Sequence, residues 1–427
     1  MVGATVQPVI SMRRGSVMSS GVQTASSATQ SPSARSSAPA TGGSQNRNAG
    51  VEALADLPPR NRVCLWQGLS LGGMYKFLSL KPQITIGNLD RLISAGLMTG
   101  FNSLMNATEN MLYGGRIART PVSEPPIFIL GHWRSGTTML HNLMTLNPRF
   151  TFLNLYECLF PGHFLLTQKI MAPLTEWLLP KKRPMDNVEV AWSAPQEDEV
   201  ALAVWTTLSP YLMPAFQGRM SVYERFLDPA EMTAEERTIW KNALLTLVKK
   251  LAMRRKGMCV MKSPTHTYRV PTLLEMFPNA KFIYIYRDPR AVYQSTIHLR
   301  KMMFAENTLG NLRPDVWSEE TLYLYERSVR RFEDTKHLIP EGNLFELRFE
   351  DLEKTPADVL EKLHASLNLP GWEEAEPQIR KVISGFSSYR KNSYRIDAAT
   401  IHMLETRLRW IFDLYGYSLT QEETAAA

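Results

Sequence analysis

The sequence is sparing with cysteine: Cys64, Cys158 and Cys259 are its only three, and they lie far apart. An odd, widely spaced set excludes a disulfide framework, and nothing in it has zinc-ligand spacing. A reducing compartment is the default for such a chain. Long apolar runs are also missing. The longest uncharged apolar stretch, Leu92–Thr108, is interrupted by Ser, Gly, Asn and Thr, short of the roughly 20 strongly apolar residues that span a bilayer. The first 51 residues contain no Asp or Glu, carry Arg13, Arg14, Arg35 and Arg47, and are rich in Ser, Ala, Gly and Thr. That composition buries too little apolar surface to offset the entropy of ordering, so residues 1–51 are expected to be disordered. No apolar core of a secretory signal is present. An acid-free, Arg-bearing leader is also the composition of organelle transit peptides, so organelle targeting stays open. There are no internal repeats.

What remains is ordinary for a globular chain of 427 residues: 44% hydrophobic, 21% charged and 10% aromatic, enough for one large core or two modest ones. The formal charge of +7 suits an anionic ligand or surface. The basic residues are scattered and no basic-aromatic recognition motif appears, so nucleic acid is not an expected partner.

Residues 52–115 read as a helical arm. Ile93, Leu97, Phe101, Leu104, Met105 and Leu112 recur at helical spacing and form one apolar stripe. Two readings follow: a helix packed on the main domain, or a lid or peripheral membrane contact through 92–112. From 116 to 420 short apolar runs alternate with helical patterns, which predicts an α/β fold with a parallel sheet flanked by helices. Strands are expected at 126–130, 258–261, 281–286 and 344–349, with a helix over 139–146. A long helix is expected from Ala234, opened by a Thr233/Glu236 capping box and ended by Gly257.

The first strand leads into Gly131-His132-Trp133-Arg134-Ser135-Gly136-Thr137-Thr138. Glycine-freed backbone N–H groups at a helix start cradle a phosphate-like anion, and Arg134 adds fixed charge. The spacing is that of a nucleotide-hydrolase P-loop, but Thr137 stands where that motif needs lysine. A nucleotide kinase or NTPase is therefore disfavoured. Two further elements end strands. Tyr286-Arg287-Asp288-Pro289 places Asp288 as an N-cap and Pro289 at the first helical position, with Ser295 about two turns on. Met261-Lys262-Ser263-Pro264 puts Lys262 at the carboxyl end of a strand, where open α/β sheets bind ligands.

The loop resembles the 5′-phosphosulfate-binding loop of the sulfotransferases that use 3′-phosphoadenosine 5′-phosphosulfate (PAPS), in the R-S-G-T-T form of the bacterial-type subgroup. The Arg287…Ser295 element resembles that family's 3′-phosphate site, and Lys262 its K-S-P lysine. Leu347-Arg348-Phe349-Glu350-Asp351-Leu352 resembles its E-D-L segment. Arg183–Asn187 and Pro195–Glu199 look like blocks of the bacterial-type subgroup. The resemblance runs from about 125 to 417. It implies a P-loop-like three-layer sandwich and sulfuryl transfer from PAPS, with no metal, to a hydroxyl acceptor such as a lipid or glycan. Arg134, Ser135, Gly136, Thr137, Thr138, Arg287 and Ser295 would bind the donor. Tyr389, Arg390 and Lys391 match the family's basic loop loosely. Arg134 and Lys262 would stabilise the transferring group. Glu157 falls near the position of the general base used by several members, with His163, Asp198, Glu199 and His266 as competitors. A catalytically silent nucleotide-binding protein of the same fold is the remaining alternative. The expected location is cytoplasmic, with or without membrane association.

Overall fold

In the computed structural model the described residues are 57–58, 63–182, 190–385 and 396–420. Residues 1–51, the 183–187 block and the Tyr389–Lys391 cluster therefore lie outside them. Five strands, β1 (Ile127–Leu130), β2 (Phe150–Phe152), β3 (Met258–Lys262), β4 (Lys281–Tyr286) and β5 (Leu344–Arg348), form one sheet in the order β2-β3-β1-β4-β5. Every pairing is parallel. The chain builds outward from the central β1, first to β2 and β3 on one side and then to β4 and β5 on the other. The carboxyl ends of β1 and β4 thus flank the point where the strand order reverses, the crevice in which such sheets bind ligands.

Side-chain alternation along the strands divides the interior in two. Phe128, Leu130, Met261, Phe282 and Tyr284 point to one face and join a core with Trp66, Phe77, Trp240 and Leu247. Ile127, Ile129, Val260, Ile283 and Ile285 point to the other and pack on Leu140, Leu143, Leu352 and Leu360. Both faces of the sheet are covered, which makes the three-layer sandwich. The predicted strands appear within a residue or two. The helix over 139–146 is observed as Thr137–Met144. The long helix is Ala234–Arg254, with the Thr233/Glu236 capping box formed. β2 escapes sequence reading because three residues carry no usable periodicity.

Residues 46–427 form one compact unit. The helix Leu89–Arg119 runs without a break through 115/116, where the arm was expected to meet the domain. Of the two readings of its apolar stripe, the packed one is met only by Phe101 and Met105, which are half-buried; the rest of the stripe faces outward. Ile93, Leu97, Leu104 and Leu112 are 61%, 77%, 62% and 57% exposed. The stripe that packs inward is Arg91, Ala95, Thr99, Asn102 and Glu109. The cause is unmet backbone polarity on the domain. Arg91 donates to the carbonyls of Thr308 and Ala305 (both 2.8 Å) just past and within the end of the helix Pro289–Asn307. Asn102 donates to the carbonyls of Gln67 and Leu69 at 2.8 and 2.9 Å. Glu109 pairs with the buried Lys250. Among the described residues no helix is long and apolar enough to cross a membrane.

Candidate active site

All the predicted strand-end motifs converge on the carboxyl edge of the sheet. The loop 131–136 turns sharply twice. Gly131 has φ +135°, and a Cβ there would stand 2.4 Å from the carbonyl oxygen of Ile285. Gly136 has φ +105°, and a Cβ would meet the Phe349 ring at 2.2 Å. Both positions require glycine. Between them Arg134 also adopts a left-handed conformation, φ +68°. Thr267 Oγ accepts from the Gly131 N–H at 2.8 Å. The Ser135 hydroxyl donates to the His132 carbonyl at 2.8 Å, so Ser135 braces the turn from within. Gly136 is the N-cap of Thr137–Met144 and supplies no side-chain acceptor. The first N–H groups of that helix thus have no side-chain cap, an arrangement able to hold an anion.

The Arg287…Ser295 element lies against this loop. Arg134 Nε donates to Ser295 Oγ at 2.7 Å, and Arg287 Nη1 reaches the Arg134 carbonyl at 3.4 Å. Asp288 caps its helix by accepting from the Arg290 N–H at 2.8 Å, which leaves Arg287 at the end of β4 facing the loop. Its guanidinium stacks on the Phe349 ring at 4.3 Å. Burial lowers its pKa somewhat, offset by Glu350 and Glu353. It remains a cation. Arg290 turns away to Asp288 and Glu405.

On the β3 side, Lys262 is buried and its ammonium lies 2.7 Å from the Glu197 carboxylate. Glu197 is the N-cap of the helix Asp198–Thr206 and keeps 19% of its side chain exposed. It also accepts from the Tyr211 hydroxyl. Burial, and next the Glu197 charge, push the Tyr211 phenol far above its usual range, so it donates at any ordinary pH. The segment is fixed by the Gln196 N–H to the Leu153 carbonyl (2.9 Å). Tyr211 accepts from Trp133 Nε1 at 3.2 Å, and Trp133 begins an apolar cluster with Leu227, Tyr268, Leu324 and Met213.

The carboxylates behind Glu197 are spent on structure. Asp198 takes His266 Nε2 at 2.7 Å and the Ser263 hydroxyl at 3.2 Å. Burial pushes the Asp198 pKa up, but His266 and Arg269 outweigh it and hold it low. Glu199, fully buried, pairs with Arg269 and accepts from Thr265 and Ser209. His163, 1% exposed, bonds Thr167 and Asn102, and burial takes its pKa down to about 4.

Glu157 is not where the sequence suggested. Its carboxylate is fully buried, closes a capping box with Asn154 at the start of Leu155–Leu159, and pairs with Arg254 at the end of the long helix. It faces no cleft. The carboxylate that does meet Lys262 is Glu197, inside the Pro195–Glu199 block but not singled out there. The available signal was that Glu197 immediately precedes a helix start, so its side chain is freed from the helix register while its two neighbours turn inward. A surface cavity of about 670 Å³ lined by Asp228, Glu231, Arg327 and Arg331 contains none of the loop, β3 or β4 residues above and, of the cluster residues named with Trp133, touches only Tyr268, and Arg327 and Arg331 are paired with Glu231 and Asp228.

The description of the Sulfotransferase family matches residues 125–374. The chain belongs to this family. It is 38% identical over 324 residues, 76% of its own length and 83% of the relative's, to the omega-hydroxy-beta-dihydromenaquinone-9 sulfotransferase Stf3 of Mycobacterium bovis and to that of Mycobacterium tuberculosis. In fold it is similar to the sulfotransferase STF9 from Mycobacterium avium, with a TM-score of 0.60 at 16% identity, covering 91% of this chain and 100% of that one. The sulfotransferase STF1 from Mycobacterium tuberculosis gives a TM-score of 0.57 at 14% identity, covering 86% and 98%. The protein is thus a sulfotransferase of the bacterial type, a transferase of sulfuryl groups. The kinase and NTPase reading is not favoured.

Proposed function

We propose that this sulfotransferase takes its sulfuryl group from PAPS and delivers it to a hydroxyl on an apolar, lipid-like acceptor. The observation that carries the donor assignment is the meeting of Arg134, Ser295 and Arg287 beside an uncapped helix start. A phosphosulfate fits the loop N–H groups with Thr137 and Thr138, and a second phosphate fits Arg287 and Ser295. Tyr389, Arg390 and Lys391 remain candidates for covering that phosphate. The acceptor reading is supported by the apolar cluster beside Trp133 and by relatives named for a hydroxylated dihydromenaquinone. Peripheral membrane contact through 92–112 belongs with such an acceptor.

Sulfuryl transfer needs an in-line hydroxyl, a base for its proton, and cations where charge builds on the leaving oxygen. Lys262 and Arg134 supply the cations. Glu197, not Glu157, is the base in this reading. Without donor, Lys262 is neutralised by Glu197. An anionic sulfuryl group draws the ammonium toward itself and frees a Glu197 oxygen to accept the acceptor's proton. The Tyr211 hydroxyl keeps the other oxygen in place.

The test is transfer of label from ³⁵S-PAPS to long-chain terminal alcohols and hydroxylated isoprenoids, with calorimetry of adenosine 3′,5′-bisphosphate (PAP) and AMP alongside. Expected are a labelled lipid product and PAP affinity at least about tenfold above AMP, the contribution of one charge-assisted 3′ contact. Equal affinities for PAP and AMP would remove the donor assignment.

A further inference from the structure

The helix Leu89–Arg119 wears its apolar side outward, and that side needs a partner. Between Arg91 and Gly115 the only charged residues are Arg91 and Glu109, and both are buried. The outward stripe of Ile93, Leu97, Leu104 and Met111 is 61–77% exposed along a helix about 46 Å long. Two neighbours extend it. The helix Leu71–Ser79 is tied to it by the Leu71 N–H donating to Ser103 Oγ at 2.9 Å and exposes Leu71 and Tyr75 at 59% and 77%. The helix Phe164–Thr175 is tied to it by the Leu166 N–H donating to the Glu109 carboxylate at 3.0 Å. It exposes Ile170 and Leu174 and is followed by Trp177, 69% exposed. An outward apolar surface of this extent marks an interaction site.

Charge selects the occupant. Over 71–119 the exposed charges are Lys76, Lys81, Arg116 and Arg119, opposed by Asp90 alone. The neighbouring helix carries Lys169, and Glu176, Lys181 and Lys182 follow its end. We propose that this face docks the protein in the plane of an anionic lipid bilayer, apolar stripe in the acyl boundary and basic ends at the headgroups. This extends the reading of a lipid-like acceptor and rests on it for the choice of a bilayer. A second copy of the chain fits worse, because a two-fold pairing of the stripe sets Lys76 and Lys81 against Arg116 and Arg119. Insertion across the bilayer is excluded for this helix by the polar stripe that holds it to the domain. The same arm reaches the acceptor side of the site through its backbone. The Gln83 N–H donates to the Ala215 carbonyl at 3.3 Å and the Thr85 N–H to that of Leu309 at 2.8 Å, and Pro210–Ala215 is the turn that carries Tyr211. Docking therefore brings the wall beside Glu197 to the lipid from which an apolar acceptor must come.

The experiment is flotation of the full-length protein with vesicles of phosphatidylcholine alone or with 30% phosphatidylglycerol, at low and high salt. Wild type should float with the anionic vesicles and be released by salt. Leu97→Glu/Leu104→Glu should lower its partition at least about tenfold, and Arg116→Glu/Arg119→Glu about as much. Both pairs leave PAP affinity unchanged, because these side chains are exposed; the Leu pair leaves the melting temperature unchanged, and the Arg pair, in the last turn of the helix, lowers it only slightly. Failure of the wild type to float, or equal salt-insensitive flotation on both vesicles, overturns the proposal. So does a wild-type dimer, seen by light scattering, that Leu97→Glu/Leu104→Glu splits. If the Leu pair misfolds, the Arg pair decides alone. Absence of PAP binding in a wild type that floats would overturn the donor reading and leave the docking face standing.

Discussion

Replacing Glu197 by Gln separates donor binding from chemistry. The amide keeps the size of the carboxylate, so the Tyr211 hydroxyl retains an acceptor and the N-cap position of Asp198–Thr206 is undisturbed. What disappears is the charge 2.7 Å from a Lys262 ammonium that is only 3% exposed. A hydrogen bond between charged groups is worth about 1.5–3 kcal/mol. In the wild type the sulfuryl group has to draw Lys262 away against that interaction. In Glu197→Gln it does not, so affinity for PAPS without acceptor should rise roughly 10- to 100-fold. PAP has no sulfuryl group, and its affinity should stay within about twofold. Turnover should fall about 10²–10⁴-fold, the typical worth of a positioned general base. Stopped-flow or calorimetric binding of both nucleotides, with single-turnover transfer, gives all three quantities. A kcat within about threefold of wild type would refute the assignment of the base. A parallel loss of PAPS and PAP affinity would show that Glu197 merely holds the strand end together.

Glu157→Gln should behave in the opposite way, leaving the kcat of folded enzyme intact while lowering stability by about 1–3 kcal/mol, because the Arg254 it leaves behind is a third exposed and still donates to the Phe152 carbonyl; chemical denaturation measures this. Acid should destabilise the protein through its buried histidines from below about pH 6.5. Burial takes His132 and His141 down to about 3 and His163 to about 4, so below pH 6.5 the unfolded chain binds protons that the folded one refuses. Their stabilisation is complete above pH 6.5 and declines as pH falls toward 4, by about 2 kcal/mol per histidine at pH 5. Thermal melts from pH 7.5 to 5 check this, and a flat profile would contradict it.

The parts of the site legible in the sequence are those where one backbone event fixes one side chain. A strand end, a glycine turn and an Asp-Pro helix start place Arg134, Lys262 and Arg287 with no knowledge of the rest of the chain. Glu157 was misplaced because its position along the chain resembles that of a base, whereas its contacts are decided by Arg254, nearly a hundred residues later. Glu197 shows the reverse. Three acidic residues in a row look equivalent on paper, and only the helix start distinguishes the one left at the cleft from the two turned toward His266 and Arg269. The long helix misleads for a third reason. Periodicity reports which face is apolar, but the unmet carbonyls at Ala305, Thr308, Gln67 and Leu69 decide which face is wanted.

Phe349 touches both ends of the proposed donor site at once: its ring is what forbids a side chain at Gly136, and its face carries the Arg287 guanidinium. The height of the loop and the tilt of the arginine are therefore geared through a single phenyl group at the end of β5. Anyone retuning this enzyme toward a different nucleotide inherits that gearing. Smaller residues at 349 let the loop sag and the guanidinium swing together, so positions 136, 287 and 349 have to be varied as a set, and libraries that visit them singly will sample mostly broken intermediates.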